Sequence, residues 1–332
     1  MRVTAVVRWA VAIIAVVALV VAAGINARVS GTTSDARTKL TLIAPAAPGG
    51  GWDLVAREAQ QALRQNKISN NVVVNNIPGA AGTIGLSTMA GLDGESSVLM
   101  VTGTVMMGGI TRNQATTRLA DLTPVARLAQ DFEVIAVPDR SPYRSLDDFL
   151  DAWRQKPKSI PIGGGSAGGI DHMIAAQLAR VAGIDPGDLE YSANAGGGEL
   201  TINLLSTAPG TVEIGISGYN DFRDLLINGD LRALAVVAPE RLEGLDAPTM
   251  IELGHPEVDL VNWRGLVAPA GIRPEERDEL IRMTEAMIAT PEWQQAVRRN
   301  RWQEWVATGE EFGEFLVTEQ ERVDRIIEDL GL

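Results

Sequence analysis

Short apolar, β-branched runs alternate along this chain with longer segments whose apolar residues return every three to four positions. "KLTLIAPAAPGGGWDLVAREAQQAL", residues 39–63, runs from a strand pattern through three glycines into a segment that places Val55, Ala59 and Ala62 on one helical face. "NVVVNNIPGAAGTIGLSTMAGL" repeats the phrase from residue 71, and "SSVLMVTGTVMMGGI" adds a strand ending at Thr102 and Thr104. In "SIPIGGGSAGGIDHMIAAQLARVAG" the stripe is Ile170, Ile174, Leu178 and Val181; "YSANAGGGELTINLLS" and "VEIGISGYNDFRDLLIN" give two more units. Helical periodicity returns at 274–289, 291–300 and 310–330. The alternation predicts an α/β fold with mostly parallel sheets.

Every glycine turn then falls between the carboxyl end of a strand and the amino end of a helix, the edge on which open α/β sheets bind ligands. A helix amino terminus offers free N–H groups and about half a positive charge, so it favours a carboxylate or phosphate, and glycine lets the anion reach the backbone. One such turn serves packing as readily as binding. Five in one chain, spread over two halves, point to an anion site.

Composition sharpens this picture. At 332 residues the chain exceeds one small core, so two lobes are expected. Residues 1–30 stand apart: Arg2 and Arg8 precede an uncharged stretch from Trp9 to Ile25, the layout of an export signal, either cleaved or kept as an anchor. Beyond residue 30 the chain keeps 26 of its 29 Lys and Arg against all 42 acids, a net charge of −16. Such a surface repels nucleic acid. With no cysteine and only His172 and His255, thiolate metal sites, disulfides and a cysteine nucleophile are excluded; no metal, cofactor or catalytic set is expected. One rival remains: Gly163, Gly165 and Gly168 satisfy G-x-G-x-x-G after a strand, with Asp185, Asp188 or Glu190 about 20 residues on, a dinucleotide fingerprint suited to an NAD-binding enzyme.

The stretches "APAAPGGGWDLVAR", "NIPGAAGTIG", "GLDGESSVLM", "GGSAGGIDHM", "LRALAVVAPERLEGLDAPTMIELGHP" and "NWRGLVAPAGI", in this order, resemble the extracytoplasmic solute receptors of tripartite tricarboxylate transporters, the TctC/Bug family. The resemblance implies a monomeric, non-enzymatic receptor of periplasmic-binding-protein type (type II-like), with two domains and a two-strand hinge, that closes on a small organic carboxylate and hands it to membrane permease subunits. A same-fold receptor serving a sensor or another transporter is the alternative. The hinge stretches would be "FEVIAVPDRSP" and "VDLVNWRGLVAPAG", giving domains at 38–137 plus 260–332 and at 138–259.

Carried over by motif, the ligand loops are Pro48, Gly49, Gly50, Gly51, Trp52 and Asp53; Gly79, Ala80, Ala81 and Gly82; Thr102 and Thr104; Ser166 to His172; and Ser217, Gly218 and Tyr219. Asp53 either caps its own helix or accepts a hydrogen bond from the ligand, His172 either caps and packs or touches ligand, and Arg264 is either an interdomain ion pair or a ligand cation. Trp263 reads as hinge packing, His255 as turn chemistry, and the tryptophans of "PEWQQAVRRNRWQEWV" as core, beside a solvated Arg298, Arg299 and Arg301. The chain departs from the family pattern at Trp52, where the family has Thr or Ser, at Ile77, where a basic residue is common, and at Glu190, where proline is usual. These departures imply a mono- or dicarboxylate with an apolar or aromatic part rather than citrate.

Overall fold

The computed structural model describes residues 36–332; the export signal expected at 1–30 lies outside them. The strands are β1 (Lys39–Ala44), β2 (Asn71–Asn76), β3 (Val98–Gly103), β4 (Thr123–Asp131), β5 (Glu133–Pro138), β6 (Ile162–Gly164), β7 (Tyr191–Ala193), β8 (Ile214–Gly218), β9 (Leu231–Val237), β10 (Asn262–Ala268) and β11 (Gln303–Thr308). They form two sheets, ordered β11-β4-β10-β3-β1-β2 and β7-β6-β8-β5-β9.

Strands that feed glycine turns pair in parallel: β1 with β2 and β3, and β6 with β7 and β8. The strands that carry the chain between sheets pair antiparallel, β10 with β3 and β4, and β5 with β8 and β9. Each sheet is therefore mixed. A parallel neighbour requires a long crossover, whereas a strand that has just arrived from the other sheet joins with no helix between. The first crossing is made at Phe132 alone, between β4 and β5, so all of β5 belongs to the second sheet; the second crossing is the segment 238–261.

The helices are α1 (Gly51–Gln65), α2 (Thr83–Ala90), α3 (Thr104–Arg112), α4 (Leu146–Gln155), α5 (Ile170–Val181), α6 (Gly197–Leu205), α7 (Tyr219–Asn228), α8 (Pro274–Ile288), α9 (Pro291–Arg299) and α10 (Gly309–Leu330). α1 buries Val55, Ala59 and Ala62 as its stripe predicts, and α5 buries Ile170, Ile174 and Leu178. Trp263 is fully buried, edge-on to Phe312 and Phe315 of α10. Trp293 and Trp302 are also core, but Trp305 is exposed, with the Arg127 guanidinium over its ring. Arg299 pairs with Glu58 and Arg301 with Glu243, so the basic cluster is partly tied down. No helix among the described residues is long and apolar enough to cross a membrane.

Candidate functional site

Six helices, α1, α2, α3, α5, α6 and α7, begin at a glycine N-cap: Gly50, Gly82, Gly103, Gly169, Gly196 and Gly218. None of these starts has a side-chain hydrogen bond at its cap. Of the other four helices, α4 is capped by Ser145 and α9 by Thr290, whereas the α8 and α10 starts, at Arg273 and Thr308, also lack a side-chain hydrogen bond at the cap. The first N–H groups of the six are thus left for another acceptor. Four of these starts, those of α1, α5, α6 and α7, converge with the 79–82 turn on a cavity of about 640 Å³ that both sheets line.

The 79–82 turn is the most constrained piece of this wall. Ala80 and Ala81 lie in the left-handed region (φ 49° and 52°), between Gly79 at 126° and Gly82 at 90°. Each alanine so placed costs about 1–2 kcal/mol, and the surroundings hold the turn. Thr83 Oγ1 and Asn113 Nδ2 donate to Ala80 O at 2.8 and 3.0 Å, and Gly109 of α3 leaves room for Ala81. Successive backbone N–H groups in such a turn form an anion-binding concavity.

The cavity floor is charged. Arg264 of β10 donates from Nη2 to Asp131 Oδ2 at 2.8 Å, a buried ion pair between neighbouring strands of the first sheet. Asn262 Nδ2 donates to Glu133 Oε1 at 2.7 Å, Gly165 N–H to Asp171 Oδ2 at 2.6 Å, and Ser217 Oγ to Asp221 Oδ2 at 2.7 Å. Burial raises all four carboxyls above their ordinary range. Asp171 is pushed up to about 7, although the Gly165 N–H opposes this. Glu133 is raised further by the neighbouring charges of Asp171 and Asp131, and Asp221 is raised despite Ser217. Arg264 offsets only part of the burial at Asp131.

Glycine seats these side chains. A Cβ on Gly51 would lie 2.7 Å from Arg264 Nη1, one on Gly165 2.9 Å from Asp171 Oδ2, and one on Gly218 3.1 Å from Asp131 Oδ2; at Gly197 the space belongs to the Asp221 carboxylate.

Of the residues singled out from sequence, Gly50, Gly51, Trp52, Gly79, Ala80, Ala81, Gly82, Ser166, Ser217 and Gly218 line the cavity. Pro48 and Gly49 are exposed and do not line it, and Asp53, Thr102, Thr104, His172 and Tyr219 are buried outside its lining. Asp53 accepts from Gly49 N, Arg57 Nε and Asn76 Nδ2, each at 2.8 Å. Burial raises its pKa, but these bonds more than offset that and hold it low. Thr102 touches Met106, and Thr104 Oγ1 donates to Val261 O while accepting from Trp263 N. His172 accepts from Gly168 N and stacks on Tyr191 at 4.1 Å; burial, then the charge of Arg112, lowers it to about 4. Tyr219 is buried against the second sheet's core.

Asp171 of the predicted 166–172 loop lines the cavity too, and Arg112, Asn113, Glu133, Asn194, Asp221 and Asn262 line it without having been singled out. The signal for Glu133 was present: an acid set in the otherwise apolar run FEVIAV. For Asp221 and Asn262 no short motif marks the position.

The G-x-G-x-x-G glycines answer packing demands. Gly163 faces Val212 and Leu200, and Gly168 faces the Arg112 stem. Asp185 bonds Gly187 N, and Asp188 pairs with Lys158 at 2.9 Å, so neither is presented to the cavity.

Residues 55–332 match the model of the tripartite tricarboxylate transporter family receptor, TctC. The chain belongs to this family. BugT of Bordetella pertussis is 30% identical over 273 residues, covering 79% of this chain and 80% of BugT. MatC of Rhodopseudomonas palustris, solved with bound malate, superposes with a TM-score of 0.76 at 19% identity, over 87% of this chain and 99% of MatC. A second R. palustris protein, solved with adipate, gives 0.78 at 21%, over 89% and 97%. These likenesses establish a two-domain binding-protein fold for this family member.

Proposed function

We propose that this chain is an extracytoplasmic receptor that captures a small organic acid between its two domains and delivers it to the membrane subunits of a tripartite tricarboxylate-type transporter. Capture and release, rather than bond-making, is its activity. The observation that carries the reading is the convergence of four uncapped, glycine-started helices and a left-handed turn on one cavity. Three or four backbone donors reaching one carboxylate at about 1.5–3 kcal/mol each give roughly 5–12 kcal/mol gross, a range whose upper half reaches the roughly 8 kcal/mol that micromolar binding requires. Family membership, and the malate and adipate seen in structures of like fold, support the same class of cargo. Export by the segment 1–30 fits the assignment.

The test is a thermal-shift screen of the purified protein against mono-, di- and tricarboxylates, amino acids, phosphate and NAD. Saturation by one class of organic acid is expected. A response to NAD alone would overturn the receptor reading and return the 163–168 loop to a nucleotide.

A further inference from the structure

The floor of the cavity carries more acceptors than the protein can satisfy. Glu133 Oε2 and Asn262 Oδ1 are buried at the cavity and have no hydrogen-bond partner. Both residues are more than nine-tenths buried, as is Asp171, while Asp221 beside them is partly buried. Three carboxyls, Glu133, Asp171 and Asp221, face the cavity around a single guanidinium, Arg264, which is already engaged by a fourth carboxyl, Asp131.

A carboxylate has only acceptors to offer, and the two unpartnered side-chain atoms of this floor, Glu133 Oε2 and Asn262 Oδ1, are oxygens as well. An ammonium has three donors and no acceptor. Another part of the cavity wall has the reverse character: the 79–82 turn presents backbone donors. Arg112, at the carboxyl end of α3, lines the cavity with no ion pair among the described residues. One end of the cavity thus suits an anion and the floor suits a cation.

We propose that the ligand is a zwitterion, a small acid bearing a protonated amine, whose nitrogen donates to Glu133, Asn262 and Asp221 while its carboxylate lies against the helix starts and Arg112. This rests on the receptor reading above and narrows its cargo from organic acids at large to amine-bearing ones. It also replaces the apolar or aromatic tail that Trp52 and Ile77 suggest from sequence. Burial raises these carboxyls, and an ammonium bound beside them would stabilise their ionised forms and lower them.

Isothermal titration of the purified protein at pH 7.5 tests this with matched sets. Each amine-bearing acid, α or ω, is compared with the dicarboxylate and hydroxy acid of equal chain length, for example 6-aminohexanoate against adipate and 6-hydroxyhexanoate. An amine-bearing acid should bind at least tenfold more tightly than both of its analogues. Glu133→Gln and Asp221→Asn, checked for an intact melting transition, should each reduce that preference to threefold or less. Dicarboxylates binding as tightly as their amine counterparts, or a preference that survives both substitutions, would overturn the proposal while leaving the receptor for organic acids intact. Binding of no acid of either kind would overturn the receptor reading itself.

Discussion

Gly51 shows how one missing methyl group shapes the site. A Cβ there meets the Arg264 guanidinium at 2.7 Å, whereas one on Gly50 meets Ala47 O at 3.2 Å and Ala46 Cβ at 3.4 Å. Gly51→Ala therefore displaces Arg264 from Asp131, and disturbing a buried pair weighs heavily because the remaining charge stays buried. Calorimetric titration should show at least a tenfold weaker ligand affinity in Gly51→Ala and less than a threefold change in Gly50→Ala. Asp171 makes the second prediction at this scale. Its carboxyl sits at about 7 in the folded protein against an ordinary 3.8. Between about pH 4 and 7 the unfolded chain has released this proton and the native state has not, so the group lowers stability as pH rises through that window. His172, held at about 4, acts in the opposite sense from pH 6.5 downward. The difference in melting temperature between wild type and Asp171→Asn should grow in the variant's favour from pH 4 to pH 7; a constant difference would contradict the assignment.

Among the elements, the glycine-started helices were legible and the floor was not. A glycine run between strand and helix patterns is a local signal, and it located Gly50–Trp52, Gly79–Gly82, Ser166 and Ser217–Gly218 on the cavity. What glycines of these turns also do, Gly51 seating Arg264, Gly218 Asp131 and Gly197 Asp221, joins residues from two dozen to more than two hundred positions apart, and no local pattern records it. The same limit applies to the sheets. Parallel pairing followed from the repeated strand–helix phrase, but the antiparallel strands depend on where the chain changes sheets, which is decided at Phe132 by tertiary pairing. Thr102 and Thr104 face inward because strand alternation there gives both hydroxyls partners in the wall rather than the cavity. The uncapped starts yield a further prediction. Gly50 has φ −74° and ψ 166°, a backbone a serine adopts without strain. Gly50→Ser should cap α1 and raise stability by a few tenths of a kcal/mol, and its hydroxyl should weaken ligand binding by competing for the same N–H groups. Ser145→Ala, at a capped helix away from the cavity, should lower stability by about 1 kcal/mol and leave affinity unchanged. Denaturant melts and titrations of both variants separate the two kinds of helix start.

For the whole molecule, two sheets are joined by one single-residue crossing and one long one, and the Arg264–Asp131 pair ties the two first-sheet strands from which these crossings leave and at which they arrive. α10 reinforces this frame: it packs on the first sheet's β4, Gln320 donates to Met107 O of α3, and Arg180 of α5 reaches Asp329 O. A frame crossed twice permits hinge closure over the cavity without disrupting either core, and ligand at a hundred times its dissociation constant should stabilise the protein by about 2.7 kcal/mol. The central claim is that backbone N–H groups at uncapped helix starts hold the cargo, and amide chemical shifts report on those groups one by one. In a ¹⁵N-resolved titration with the tightest-binding acid from the screen, the amides of Gly51, Trp52, Ala81, Gly82, Ile170 and Gly197 should shift together and saturably. Saturable binding that leaves these amides unmoved, with the shifts clustered elsewhere on the surface, would contradict the account.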